Sequence, residues 1–185
     1  IQGSEKTALV DTVDPEMSHV LLGRLEQLNT KIDYVIANHA EQDHSGTLPK
    51  ILALYPDAPI VCTQKCKSML IDLGLAEGAN FITVEDGETL SLGDRTLEFI
   101  HAPWVHWPET MLTYLQEDQI LFPCDLFGSH LATTDLYGKE DAKLYDSAKR
   151  YYAEIMMPFQ AIIKKHLERL EQYEISLIAP SHGPI

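Results

Sequence analysis

A cluster of side chains that can bind metal ions lies early in the chain, in residues 38–46. It contains two histidines and two carboxylates with the spacing H-x-E-x-D-H. His39 and Glu41 are two residues apart, so an extended chain points both to the same side. Asp43 and His44 follow and lead toward a second point in space. The spacing suits two metal ions side by side, and it is far more specific than a lone histidine or a polar loop that solvates a strand end.

The residues on either side of this cluster predict how it is held. Residues 34–37 form an apolar run typical of a buried strand, and residues 47–54 have the pattern of a helix with a proline in its first turn. A strand, a polar loop and a helix in this order place the loop at the carboxyl edge of a sheet. That edge is where α/β folds have their functional sites.

The motif resembles the H-x-H-x-D-H signature of the metallo-β-lactamase superfamily, with Glu41 where the hydrolases carry a second histidine. This variant is similar to the metallo-β-lactamase-like di-iron domain of the flavodiiron proteins, also called A-type flavoproteins. The resemblance continues through His106, Asp125 and His182 and therefore covers nearly the whole chain. It implies an α/β (α+β) architecture, the αββα sandwich of the metallo-β-lactamase fold.

The resemblance also implies which residues hold the metals. The implied ligands are His39, Glu41 and His106 for one iron, Asp43 and His182 for the other, and Asp125 as the bridge. The role of His44 stays open, because the family's residue there ligates in some structures and turns away in others, replaced by water. The three distant ligands each follow a strand-like run, and strand ends that converge on one edge can gather them.

Further residues are candidates for roles around the metals. His130 resembles a family histidine beside the di-iron pocket, and we interpret it as a group that orients ligands or supplies protons. The family also places a tyrosine there from the segment that holds Tyr151 and Tyr152, and the sequence leaves open which one. Trp104 and Trp107 flank His106, and core packing is the better interpretation of both.

Glu41 indicates the kind of metal. A carboxylate in place of an imidazole makes a site harder and more anionic, which suits iron or manganese better than a tetrahedral zinc site. With Glu41, Asp43 and Asp125 ionised, three negative charges offset most of the charge of two divalent ions. Such a pair can change between the ferrous and ferric states, whereas zinc has no redox chemistry.

Composition excludes several classes of function. The 185 residues carry a formal charge of −14, which opposes binding to a nucleic acid or an anionic membrane. We find no apolar run long enough to span a bilayer and no signal peptide, so we expect a cytoplasmic protein. Cys62, Cys66 and Cys124 are an odd number without C-x-x-C spacing, which argues against disulfides and a structural zinc site. We expect all three cysteines to be buried.

The order of elements is consistent with a layered sandwich, since helices flank strands on both sides of a centre rich in hairpins. The predicted strands are 7–12, 32–37, 58–62, 81–84, 88–92, 96–100, 111–115, 119–122 and 175–179, and the predicted helices are 16–28, 47–54, 64–73 and 142–173, broken near Pro158. We expect one domain, residues 1–185, cut at both ends, without the flavodoxin-like FMN domain that usually follows in the family.

The favoured function is therefore a di-iron reductase domain that converts O2 to water or NO to N2O. The resemblance implies electrons from FMN, in a flavodoxin domain of a neighbouring subunit of a head-to-tail homodimer or dimer of dimers, fed by a rubredoxin-like donor. One alternative is a di-iron oxygen-binding sensor without a flavin domain. The other is a binuclear zinc hydrolase of the same fold, for which a histidine in place of Glu41 is the expected mark.

Overall fold

A computed structural model describes residues 1–139 and 141–185. The first of its two sheets is parallel, with the strand order β1-β2-β3-β4. These strands are β1 (Ala8–Val10), β2 (Tyr34–Ile36), β3 (Ile60–Cys62) and β4 (Phe81–Thr83). The helices between them are α1 (Ser18–Leu28), α2 (Gln42–Ser45), α3 (Leu48–Leu54) and α4 (Gln64–Asp72), with a 3-10 turn, Pro15–Met17, before α1.

The second sheet is antiparallel except at one edge, where its last two strands run parallel. Its strands, in order across the sheet, are β5 (Thr89–Ser91), β6 (Thr96–His101), β7 (Met111–Leu115), β8 (Ile120–Phe122) and β9 (Leu177–Ile178). Between β8 and β9 come α5 (Ala142–Tyr151), a π-helical turn (Tyr152–Met156), a 3-10 turn (Met157–Phe159) and α6 (Gln160–Leu170).

The two sheets pack against each other, and the helices cover their outer faces. Ile36 and Val61 of the first sheet share one buried cluster with Phe99 and Met111 of the second. The neighbouring residue Val35 points the other way, into a cluster with helices α1, α3 and α4, because successive strand residues face opposite sides. Residues of β6–β8 likewise meet α5 and α6 in a third cluster. The expected αββα sandwich is confirmed.

Most predicted elements are present, and three differ from expectation. Residues 81–84 were expected among the hairpins, but β4 is a parallel edge strand of the first sheet. The motif segment was expected as a loop, and its second half is the one-turn helix α2. The predicted helix 16–28 is a 3-10 turn followed by α1, and only some of its apolar residues are buried, since Leu25 is buried whereas Leu28 is 68% exposed. The break near Pro158 is confirmed, because proline supplies no N–H to continue a helix.

Within the described residues, we find no helix with both the length and the apolar character that crossing a bilayer requires.

Candidate metal centre

The centre lies at the carboxyl ends of five strands, two from the first sheet and three from the second. Asp11 follows β1, and the H-x-E-x-D-H motif follows β2. The segment after β6 carries His106 and the segment after β8 carries Asp125. His182 follows β9. This placement agrees with the expectation that strand ends gather distant residues, and all seven predicted ligands come together.

A first group consists of His39, Glu41, His106 and one oxygen of Asp125. One atom of each could bind a metal ion, and these metal-binding atoms, called donor atoms below, lie within 4.8 Å of one another. Glu41 Oε2 is 3.2 Å from Nε2 of both His39 and His106. Asp125 Oδ2 is 3.5 Å from His39 Nε2 and 3.4 Å from His106 Nε2. Four donor atoms therefore surround one point.

A second group consists of Asp43, His44 and His182, again with donor atoms within 4.8 Å of one another. Asp43 Oδ2 is 3.1 Å from His182 Nε2 and 3.4 Å from His44 Nε2. The other oxygen of Asp125, Oδ1, lies 3.0 Å from His44 Nε2 and 3.1 Å from His182 Nε2. His44 thus faces the second group with the same nitrogen that His182 uses.

Asp125 stands between the groups, with Oδ2 toward the first and Oδ1 toward the second, and its residue is only 1% exposed. Neither oxygen makes a hydrogen bond of acceptable geometry to any described residue, and the same holds for Asp43 Oδ1 and His44 Nε2. Leaving a buried polar atom unsatisfied costs about 1–3 kcal/mol, and more for a charged one. Buried polar atoms that lack hydrogen-bond partners and lie beside other metal-binding atoms fit cations, so the residues present suit a pair of metal ions.

The carboxylates of the centre carry the negative charge that cation binding requires. Hydrogen bonds from His106 and then His39 lower the pKa of Glu41 to about 2. Burial works against ionisation of Asp125, but its contacts with His106, His182 and His44 outweigh burial and hold its pKa well below the usual range. Contacts with His182 and His44 likewise outweigh burial and lower the pKa of Asp43. The three carboxylates are therefore ionised.

The histidines show the opposite shifts. Asp125 and Asp43 raise the pKa of His182 to about 9. Burial lowers the pKa of His106, but Asp125 and Glu41 outweigh it and raise the value to about 9. His39 and His44 are likewise raised in pKa because surrounding acidic groups outweigh burial. A cation that binds here must displace protons from these imidazoles.

Glu109 is a site residue that sequence reasoning missed. Its buried carboxylate oxygen Oε1 lies 2.7 Å from His39 Nδ1 and accepts the backbone N–H of Ala40 at 3.0 Å. The contact orients the His39 ring so that Nε2 faces the first group. The one signal in the sequence was an acidic residue three positions after His106 in an otherwise aromatic and apolar segment.

Asp11 and Cys124 lie behind His44 and were also missed as site residues. His44 Nδ1 is 3.5 Å from Cys124 Sγ and 3.8 Å from Asp11 Oδ2, while Asp11 Oδ1 accepts the backbone N–H of Asn38 at 2.8 Å. Burial raises the pKa of the Cys124 thiol above its ordinary value. All three cysteines are buried and free, as expected. For Asp11 the available signal was an acidic residue near the end of the predicted strand 7–12.

The structure distinguishes the two tyrosines. Tyr151 is buried, with its ring 4.7 Å from the ring of His130 and 5.8 Å from that of His182. Burial, and then the charge of Asp125, raises the pKa of Tyr151 above its ordinary value. Tyr152 is 41% exposed. His130 is exposed and touches the ring of His182 edge-on at 5.6 Å, so it lies at the mouth of the centre.

The two tryptophans also differ. Trp107 packs edge-on against the rings of His39, at 5.1 Å, and His106, at 6.3 Å, so it covers one side of the first group. Trp104 is 46% exposed and stacks on Phe159, so the prediction that it packs in the core is wrong. Trp104 and Trp107 therefore have different surroundings, and the sequence alone does not indicate this difference.

The sequence matches the family described as ODP family beta lactamase over residues 1–183. It is 42% identical over 187 residues to a nitric oxide reductase of Moorella thermoacetica, covering 98% of this chain and 47% of that protein. An anaerobic nitric oxide reductase flavorubredoxin of Aliivibrio salmonicida is 38% identical over 186 residues, covering 97% of this chain and 37% of that protein. The chain thus spans half or less of the length of these relatives.

Solved structures give the same result. The flavodiiron protein from Giardia intestinalis superposes with a TM-score of 0.91 at 37% identity, covering 96% of this chain and 44% of that one. Rubredoxin oxygen:oxidoreductase from Desulfovibrio gigas superposes with a TM-score of 0.93 at 29% identity, covering 98% and 47%. With the family match over residues 1–183, these likenesses mean that the chain belongs to the ODP family of β-lactamase-like domains, the metallo-β-lactamase-like domain of the flavodiiron proteins.

Proposed function

We propose that the two groups of donor atoms bind two iron ions and that the whole protein reduces O2 to water or NO to N2O. The observation that carries the proposal is Asp125, whose two buried oxygens face the two groups separately and lack hydrogen-bond partners among the described residues. The ligands would be His39, Glu41 and His106 for one ion, Asp43, His44 and His182 for the other, with Asp125 shared.

Iron is favoured over zinc by the chemistry of the donors. Glu41, Asp43 and Asp125 supply oxygen donors beside four imidazoles, which suits a redox-active ion with open positions better than a closed zinc site. Glu41 also stands against the hydrolase alternative, whose expected residue there is a histidine. Relatives named nitric oxide reductase and coenzyme F420H(2) oxidase support the reductase over the hydrolase and the sensor.

Iron held by these residues would supply the one-electron redox chemistry that reduction of O2 or NO requires. The protein's own residues supply order and protons. Trp107 packs against the His39 and His106 rings and excludes water from that side. Tyr151 keeps its hydroxyl proton beside Asp125, and His130 stands between Tyr151 and solvent. Because both reactions consume protons, these two residues are the proposed route by which protons reach the centre.

Electrons come, in this proposal, from FMN bound in a further part of the whole protein or in a neighbouring subunit of a head-to-tail homodimer or dimer of dimers. Relatives named flavorubredoxin and rubredoxin oxygen:oxidoreductase support a rubredoxin-like protein as the donor to that flavin. Three buried cysteines that remain free support a reducing compartment, and we propose the cytoplasm.

The test of the centre is metal content and its dependence on Asp125. Protein purified without oxygen should carry about two irons per chain, as in other two-metal sites. Asp125→Asn, which keeps the shape and removes the shared charge, should lose most of both ions. The control is Asp72→Asn, at an exposed position on α4. One ion per chain, or full iron content in Asp125→Asn, would contradict the proposal.

The test of the activity follows the reduced protein after it is mixed with O2 or NO. Iron-loaded protein should be oxidised rapidly, and zinc-loaded protein should give no oxidation because zinc has a single accessible oxidation state. The hydrolase alternative predicts instead metal-dependent cleavage of β-lactam, thioester or phosphodiester substrates that disappears in Asp43→Ala. The sensor alternative predicts a reversible O2 adduct without oxidation.

A further inference from the structure

His44 is supported on its far side by unusual partners. Its Nε2 faces Asp43 and Asp125, whereas its Nδ1 points out of the centre toward Cys124 Sγ at 3.5 Å and Asp11 Oδ2 at 3.8 Å. All three of His44, Cys124 and Asp11 are buried. For Nε2 to offer a lone pair to a cation, Nδ1 must carry the ring proton. That proton then needs an acceptor on the far side, and the thiol sulfur is the one within reach.

His39 provides the comparison within the same centre. Its Nδ1 lies 2.7 Å from the carboxylate oxygen of Glu109, a short contact of the charge-assisted kind. The corresponding contact of His44 is longer, at 3.5 Å, and its acceptor is the sulfur of Cys124. Sulfur is a weak acceptor. The Asp11 carboxylate oxygen Oδ2, at 3.8 Å from Nδ1, lies beyond hydrogen-bond distance, and Asp11 comes within 4.8 Å of the Cys124 sulfur.

The backbone of His44 is fixed although its ring is weakly held. Its carbonyl oxygen accepts the Thr12 N–H at 2.6 Å and the Thr12 hydroxyl at 2.7 Å. Any freedom of this residue therefore belongs to the imidazole ring and to the strength of the contact at Nδ1.

We propose that Cys124, backed by Asp11, is a positioning residue that holds the His44 ring with Nε2 toward the second group. The inference rests on the proposed two-metal centre. It predicts that loss of the Cys124 sulfur speeds release of the ion in the second group, built from Asp43, His44 and His182, and leaves the first group unchanged.

The test uses protein loaded with Co²⁺, followed by release of the metal to a chelator and by the visible spectrum. Cys124→Ala should release one of the two ions about tenfold faster, the lower end of the effect of losing a partner behind a metal-binding histidine. The other ion should leave at the unmodified rate. The matched control is Cys66→Ala, an equally buried thiol that points at the Ala37 carbonyl. It removes the same atom and should leave both rates unchanged.

A second measurement requires no change at Cys124. In the Co²⁺-loaded unmodified protein, the ring N–H proton of His44, followed by NMR, should exchange with solvent faster than that of His39. The His39 signal is the one that changes in Glu109→Gln. Equal exchange, or unchanged or slower release in Cys124→Ala, overturns the positioning role. Uptake of fewer than two ions by the unmodified protein would instead overturn the two-metal centre, and the inference with it.

Discussion

The Glu109 carboxylate and the His39 imidazole form the shortest side-chain contact of the centre, 2.7 Å between Oε1 and Nδ1, with both side chains fully buried. The contact fixes the tautomer of His39, so that Nδ1 carries the proton and Nε2 faces Glu41. Glu109 also accepts the Ala40 N–H, which ties the motif backbone to the segment after β6. One carboxylate thus aligns a metal-facing ring and joins the two sheets.

We predict that Glu109→Gln weakens metal binding in the first group. The amide keeps the shape but removes the charge that supports His39, and loss of such partners costs about 10–100-fold in metal affinity. Equilibrium dialysis against Co²⁺ measures the effect, with Glu117→Gln as an exposed control. Unchanged affinity for both ions would contradict the role assigned to this contact.

We predict that Glu41→His shifts metal preference toward zinc. The substitution restores the H-x-H-x-D-H spacing and replaces a hard oxygen donor of the first group with a nitrogen donor. Protein produced with equal iron and zinc should show a higher zinc-to-iron ratio than the unmodified chain, by elemental analysis. Gln42→His adds the same side chain at the next, exposed position and should leave the ratio unchanged. Equal ratios in all three proteins would show that Glu41 does not select the metal.

We predict opposite pH dependence for the metal-free and metal-loaded proteins. His106 and His182 have pKa values of about 9 in the folded protein against 6.5 for the ordinary side chain. Their ion pairs stabilise the metal-free fold fully below pH 6.5, and this stability is lost as pH rises through 9. Metal binding requires neutral imidazoles, so the loaded protein should gain from the same rise in pH.

Urea unfolding at several pH values between 6 and 9.5, with chelator or with Co²⁺, measures both trends. His106→Asn should flatten the decline in the free energy of unfolding of the metal-free protein, because it removes one of the two titrating groups. A free energy of unfolding that rises with pH in the presence of chelator would contradict the assignment.

We predict that Tyr151→Phe slows oxidation of the reduced, iron-loaded protein by O2 or NO while leaving iron content unchanged. A positioned proton donor contributes at least about 100-fold in rate. Stopped-flow absorbance, with a solvent isotope comparison, measures the step. Tyr152→Phe removes the same hydroxyl from a residue that is 41% exposed and should have no effect. Equal slowing by both substitutions would exclude a specific role for Tyr151.

The sequence predicted the residues that the structure gathers into the two groups better than it predicted the residues behind them. The H-x-E-x-D-H motif marks its own position by spacing, and strand ends bring His106, Asp125 and His182 to it. Glu109 and Asp11 carry no such spacing, since each is a single carboxylate whose role arises from a contact across the fold.

Local patterns left other points open for physical reasons. An isolated apolar run has the same composition in a hairpin and at a parallel edge, so the sequence did not place β4 in the first sheet. Tyr151 and Tyr152 are adjacent at the end of α5, and the packing of that helix on the second sheet decides which of them faces His182.

Each group of donor atoms draws on both sheets. The motif after β2 supplies His39 and Glu41 to one group and Asp43 and His44 to the other, while His106, Asp125 and His182 come from the second sheet. A pair of bound ions would therefore act as a cross-link that joins the two sheets at one edge of the sandwich. Removing the ions should let the halves separate at that edge first, and amide hydrogen exchange should rise at the ends of β2, β6 and β8 while the inter-sheet core around Phe99 stays protected.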